Sequence, residues 1–320
     1  MKQRLHHILY TCIVVVTLWA APTDVRAQFD AHFNHYWTLQ GYYHPAAVGL
    51  TENQLAFYGA YSMQLLGFKH APRTMLFGVD MPFTLLKRQH AVGVSFFNEG
   101  IGLFRNQLIR GQYAYRMKLG RGRLGIGLQA GALQVSFDPT GINLGDETDD
   151  EAFPATTQKG AAVDVGVGVH YMQARWYAAL SAQHLTAPRL SLGENSHLKV
   201  NPIIYLTGGY NIPTRRPLLS IQTMAQLQSD FTHTRLDVTG RLLYTYRSNT
   251  FGGGLTYSPS TSLTIDLAAT IRHITVGYAY EWYTSKIGVA NGSHELVMRY
   301  TVDLSLFKKS RALHKSVRIL

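Results

Sequence analysis

Apolar and polar residues alternate one by one along nearly the whole chain. Near the end, His294, Leu296, Met298, Tyr300, Val302, Leu304 and Leu306 share one parity, and Glu295, Val297, Arg299, Thr301, Asp303 and Ser305 share the other. Between Arg235 and Arg247, Leu236, Val238, Gly240, Leu242, Tyr244 and Tyr246 alternate with Arg235, Asp237, Thr239, Arg241, Leu243, Thr245 and Arg247. The stretch 161–171 sets Ala161, Val163, Val165, Val167, Val169 and Tyr171 against Ala162, Asp164, Gly166, Gly168 and His170. A period of two places successive side chains on opposite faces of a β-strand. Strands are predicted near 54–66, 74–82, 90–98, 107–118, 124–137, 161–172, 175–184, 203–210, 218–227, 234–246, 251–257, 263–271, 274–283 and 294–307. The parity slips near Ala132-Leu133, where a β-bulge is expected.

Alternation alone fits a soluble sandwich as well as a barrel. Many of these strands are near ten residues or longer, against about five to six in ordinary globular sheets. The apolar faces carry aromatics such as Tyr244, Tyr246, Tyr278, Tyr280 and Trp282, in the manner of an outer-membrane girdle. The opposite faces hold glycine and charges of both signs, which suits a lumen. The fold predicted is all-β, a transmembrane antiparallel β-barrel of about 14 strands.

Connection lengths then fall into two sets. Lys87-Arg88, Gly120–Arg123, Gln173-Ala174, Asn211–Pro217, Arg247–Thr250 and Arg272-His273 are short, and 138–160, 185–202 and 284–293 are long. Short turns face the periplasm and long loops face outward in such barrels. Arg88, Arg121, Arg123, Arg215 and Arg216 therefore read as a basic periplasmic rim, either a docking surface for an acidic partner or plain solubility charge. The acidic run Asp146, Glu147, Asp149, Asp150 and Glu151 falls in an outer loop.

Composition refines this picture. The 320 residues carry 15% charged side chains and a net +11, with 19 Tyr, 29 Gly and one Cys. Lys2 and Arg4, the apolar stretch from Ile8 to Ala21 and Val25-Arg26-Ala27 read as a signal peptide, 1–27. Cys12 lies within it, so the mature chain holds no cysteine. Domain organisation follows as signal peptide 1–27, an N-terminal periplasmic or plug segment 28–50, the barrel 51–307 and a basic tail 308–320. Export argues against nucleic acid as the partner of this basic chain.

The sequence holds no catalytic constellation. His294-Glu295 lacks the second histidine of a zinc-protease helix and lies on a strand. His32, His35 and His44 lack a further ligand that would complete a metal site. Neither a metal nor another cofactor is expected, and no enzyme activity. Asp164, Arg235, Asp237, Arg241, Asp266, Glu281, Arg299 and Asp303, with Arg272 and Glu295, share the lumen parity. They read as a charge ladder filling the barrel, with a pore lining as the alternative.

Two segments resemble a known family. QFDAHFNHYWTLQGYYHPAAVG (28–49) is similar to the opening of the PorP/SprF family, whose mature chains begin with Gln and soon reach Asn-Pro-Ala-x-x-Gly. Pro45, Ala46 and Gly49 match, and His44 takes the place of Asn. GYAYEW (277–282) followed by GSHELVMRY (292–300) resembles that family's close, with Gly292, Ser293, His294 and Glu295 matching in full. The resemblance spans about 28–307. It implies an outer-membrane barrel of the type IX secretion and gliding machinery, embedded in outer-membrane lipid. It also implies periplasmic secretion components as partners, and export or display of an adhesin. The alternative function is a channel for small or amphipathic solutes.

Overall fold

The computed structural model describes residues 30–51, 53–139, 156–193, 197–285 and 292–304. The alternating segments form β1 (Gln54–Met63), β2 (Arg73–Leu85), β3 (Arg88–Ile101), β4 (Phe104–Leu119), β5 (Gly122–Phe137), β6 (Gln158–Met172) and β7 (Trp176–Gln183). A small hairpin, β8 (Arg189–Ser191) and β9 (His197–Lys199), interrupts the next connection. Then follow β10 (Ile203–Pro213), β11 (Leu219–Ser229), β12 (Thr234–Tyr246), β13 (Asn249–Ser258), β14 (Ser262–Ile271), β15 (Ile274–Tyr283) and β16 (Ser293–Asp303). Apart from the hairpin, these are the 14 strands of one closed barrel. Neighbours pair antiparallel throughout, and β1 meets β16 from Gln54↔Asp303 to Met63↔His294. Closure gives each of the 14 barrel strands a neighbour on both sides.

One parity faces outward and is apolar. Phe77, Val163 and Leu267 are more than half exposed, as are Leu128, Leu255 and Trp282. A belt of that size is unfavourable in water and matches a hydrocarbon surround. Tyr244, Tyr246, Tyr278 and Trp282 all lie on this outer face. The hairpin β8–β9 was not among the predicted strands. Its three-residue strands are too short to show a period.

Near Ala132-Leu133 the expected bulge is absent. β5 stays in unbroken register with β4 (Ala132↔Ile109, Leu133↔Leu108) and with β6 (Ala132↔Val163, Leu133↔Ala162). What changes there is the filling of the lumen. Leu133 and Val135 point inward and are buried in an apolar core inside the barrel.

That core is built by residues 30–50, which run through the lumen as a plug. They comprise an irregular stretch, one helical turn α1 (Gln40–Tyr43) and a 3-10 turn at Pro45–Ala47. Phe33, Tyr36, Leu39, Tyr42 and Tyr43 are buried against Leu76, Phe97, Leu108, Ile203 and Tyr205. The segment enters near His184 and Tyr205, beside the long loops, and leaves near Asp80 and Pro82, beside the short turns.

At the short-turn end the links are Leu86-Lys87, Gly120-Arg121, 173–175, 214–218, Arg247-Ser248 and Arg272-His273. The longest connections, 138–157 and 184–202, are at the other end. The signal peptide, the acidic run 146–151 and the tail 308–320 lie outside the described residues.

Candidate functional site

The plug touches two walls of different chemistry. The first, β12–β16, is charged because its inward parity carries Asp237, Asp266, Glu281 and Glu295, each at most 2% exposed. Glu295 accepts hydrogen bonds from the backbone N–H groups of Asn34 (2.6 Å) and His35 (2.8 Å), and its Oε1 lies 2.8 Å from His35 Nδ1. Thr264 donates to the Asn34 side chain at 3.1 Å, and the Tyr36 hydroxyl to Thr239 at 2.9 Å. Behind these contacts Arg235 bridges Asp237 (3.0 Å) and Glu281 (2.9 Å). Arg241 pairs with Asp266 at 2.9 Å and lies 4.5 Å from the centre of the Trp37 ring. Buried charges are tolerated when paired and hydrogen-bonded in this way. His32 lies 3.6 Å from Asp237.

A further charged contact fixes the plug's entrance. His184, just past β7, lies with Nε2 2.9 Å from Asp30 and Nδ1 2.9 Å from Asp164, and the Tyr205 hydroxyl also donates to Asp30. Burial alone would lower a histidine, yet the two carboxylates push His184 up to about 10. Burial alone would raise Asp30, yet His184 and Tyr205 hold it below its ordinary value. The pair is therefore an imidazolium against a carboxylate.

The second wall, β4–β7 and β10, carries charge at Arg110, Arg116 and Asp164 and otherwise meets the plug with neutral groups. Gln112 donates to the Gly41 carbonyl at 2.6 Å, Gln183 to those of Tyr42 (3.0 Å) and Tyr43 (2.7 Å), and Ser181 to that of Tyr43 (2.7 Å). Arg110 donates to the Tyr42 carbonyl at 3.0 Å while its guanidinium covers the Tyr42 ring at 4.6 Å. His44 sits between Thr207 (2.8 Å) and Ser181 (2.9 Å). Below it, the Pro45–Ala46 turn lies on the glycines of β5 and β6. A Cβ on Gly127 would overlap the Ala46 backbone nitrogen. Gly49 ends the plug at φ +61, and its N–H donates to Asp80 at 2.9 Å.

The residues singled out by the sequence thus fall into separate groups. Arg235, Asp237 and Glu281 meet, and Arg241 meets Asp266, but Asp164 is on another wall with His184. Arg299 reaches the Thr38 carbonyl (3.4 Å) and Thr51 (2.9 Å), while Asp303 accepts from Gln54 (2.8 Å) at the short-turn end. Of the signature residues, Pro45, Ala46 and Gly49 belong to the plug. Ser293 receives the Leu65 N–H at 3.2 Å, and Glu295 clamps Asn34 and His35. His294 faces outward, 2.6 Å from the Tyr278 hydroxyl.

Sequence reasoning did not find Asp30, His184, Arg110, Gln112 or Gln183 as plug contacts. Their polarity at lumen parity was the available signal for the last three. Asp30 lies ahead of the predicted strands, and His184, the last residue of the predicted strand 175–184, has the lipid-facing parity there and lies just past β7 in the structure. Arg88, Arg121, Arg123, Arg215 and Arg216 all fall at the short-turn end, where the first two and last two are exposed.

A family model described as "Type IX secretion system membrane protein PorP/SprF" matches residues 25–300. No curated protein matches the chain. Among solved structures the chain is similar to the CymD monoaromatic hydrocarbon channel, at 11% identity and a TM-score of 0.48, covering 82% of this chain and 91% of that one. A TodX monoaromatic hydrocarbon channel mutant aligns at 8% identity and a TM-score of 0.47, over 81% and 93%. BamA from Haemophilus ducreyi, lacking POTRA domains 1–3, aligns at 9% identity and a TM-score of 0.40, over 78% and 70%.

Proposed function

This chain belongs to the PorP/SprF family of type IX secretion membrane proteins and is an outer-membrane β-barrel of that system. From that premise we propose that its work is attachment rather than conduction. The barrel anchors periplasmic secretion components at its short-turn end and supports export or surface display of a partner protein, such as an adhesin, including in gliding. The observation that carries this reading is the plug. Residues 30–50 are hydrogen-bonded to both walls along the lumen, so a solute path would require many buried bonds to break together. The basic short-turn rim then supplies a surface for acidic partners, by charge complementarity that favours encounter and register.

The test is affinity capture of the tagged full-length barrel from detergent-solubilised membranes. Recovery of periplasmic secretion components is expected, and their absence sinks the reading. Planar-bilayer recording of the purified barrel separates it from the channel alternative, which requires steady conductance where a plugged barrel gives none.

A further inference from the structure

Charge is scarce on the lipid-facing parity. Among the described barrel strands that parity carries Arg73, Arg88, Arg105 and Lys159 as its only lysines and arginines, and no carboxylate. Arg88 lies at the short-turn end. The other three lie at the long-loop end and fall in one cross-strand row. Arg73 pairs with Gly100, Gly100 with Arg105, Arg105 with Ser136, and Ser136 with Lys159. Adjacent strands are about 4.8 Å apart, so successive cations of the row stand about 10 Å apart. A glycine or a serine separates each from the next.

Two clefts meet over this row. One of about 560 Å³ is lined by Arg73, Gly100 and Arg105, and one of about 530 Å³ by Gly100, Arg105, Ser136 and Lys159. His70 and Gly102 line both. A Cβ at Gly100 or Gly102 would meet no atom within 4 Å, so the floor beside the arginines is bare. All three cations are exposed. Among the described residues none of their side chains makes a hydrogen bond or an ion pair. Asp138 is the one carboxylate in the two linings, set against all three. Like charges gathered in this way repel one another, and an anionic ligand removes that cost.

The rows beneath narrow the choice. Asn98, Gln107 and Gln134 share the next row toward the middle of the bilayer, and Gln107 donates to Asn98 at 3.2 Å. Phe77, Phe96, Ile109 and Val163 share the row after it. One row further, Gly111 and Ala130 lie between Val94 and Val165 and leave a shallow trough two strands wide. Cation, amide and hydrocarbon thus succeed one another from the long-loop end inward. A soluble acidic protein matches the first of these and not the last. Arginine's planar fork suits phosphate oxygens, and side-chain amides suit sugar hydroxyls. We propose that this face of β2–β6 holds a phosphorylated, acylated glycolipid of the outer leaflet. Its phosphates lie on Arg73, Arg105 and Lys159, its sugar on the amide row and its acyl chains in the trough. The acidic run 146–151, in the connection between β5 and β6, is a competing occupant. The inference goes beyond the attachment reading and rests only on the barrel's place in the outer membrane.

The full-length barrel in detergent is titrated with bisphosphorylated lipid A, and retained lipid is read by native mass spectrometry. Affinity is expected to fall about tenfold when the probe is stripped of its phosphates, and about as far for Arg105→Gln. Arg88→Gln, an equal loss of charge on the same parity at the opposite end, is expected to change it by less than about twofold. Gly100→Glu, which sets a carboxylate between Arg73 and Arg105 and removes no cation, is also expected to abolish binding. Equal binding of the phosphorylated and stripped probes overturns the proposal, as do equal losses in Arg105→Gln and Arg88→Gln. Displacement of the lipid by an equal concentration of inorganic phosphate or of an acidic peptide, neither of which carries an acyl chain, overturns it too. So does binding that appears only when Asp146→Asn, Glu147→Gln, Asp149→Asn, Asp150→Asn and Glu151→Gln are combined, since the acidic run is then the occupant.

Discussion

The two walls around the plug hold it by opposite means. On β12–β16, carboxylates accept the plug's N–H groups, and arginines and hydroxyls satisfy the carboxylates in turn. On β4–β7, side-chain amides and the guanidinium groups of Arg110 and Arg116 donate to the plug's carbonyls, and glycines let its backbone come close. The first wall is strong where a charge is present and intolerant of its loss. The second spreads its hold over several modest bonds and depends on shape.

The largest effect is expected from Glu295→Ala. It strands two backbone donors and the His35 ring, and removing one partner from a buried charged contact costs about 3–5 kcal/mol. The midpoint of the heat-modifiable gel shift should fall sharply, with the plug becoming open to protease. A Gln183→Leu variant tests the contrast, because the amide wall should lose only about 1–3 kcal/mol. Equal losses would erase the distinction between the walls.

Gly127→Val is expected to act by shape, at about 1–3 kcal/mol of overpacking. Its signature is displacement of the Pro45–Ala47 turn, read as conductance in bilayers above that of the wild type. The entrance contact should respond to pH on both sides. His184 is raised, so its contribution is complete below its unfolded value of 6.5 and is lost as pH rises through about 10. Asp30 is lowered, so its contribution is present above its unfolded value of 3.8 and is lost as pH falls through its lower folded value. Protease access to the plug should thus be minimal between pH 3.8 and 6.5, and a His184→Gln variant should lose the alkaline limb. Smallest of all, Arg215→Gln with Arg216→Gln should leave stability within about 0.5 kcal/mol of wild type, while weakening partner capture.

Most of the fold was legible because a two-residue period survives anywhere along a long strand. Leu236, Val238 and Leu242 point to lipid, and Asp237, Thr239 and Arg241 point inward, as their parity requires. The plug was legible only as a segment. Nothing local at Asp30 announces His184, 154 positions away, and the approach of two such residues is a property of the closed barrel. The inward glycines of β5 and β6 read only as lumen positions, and the Pro45–Ala46 turn that packs on them is remote in sequence. The parity slip at Leu133 was a true signal with another cause: apolar residues replace polar ones on the inner face because the plug's aromatics lie opposite.

Glu295 also joins the two ends of the chain. It lies on the last strand, and it holds residues 34 and 35, which lie ahead of the first strand. Because β16 also zips onto β1, a chain cut short before that strand loses the seam and the clamp together. Neither can form until the last strand has been made. A fragment lacking β16 therefore forfeits both the closing seam and the grip on residues 34 and 35, whatever the other strands still hold.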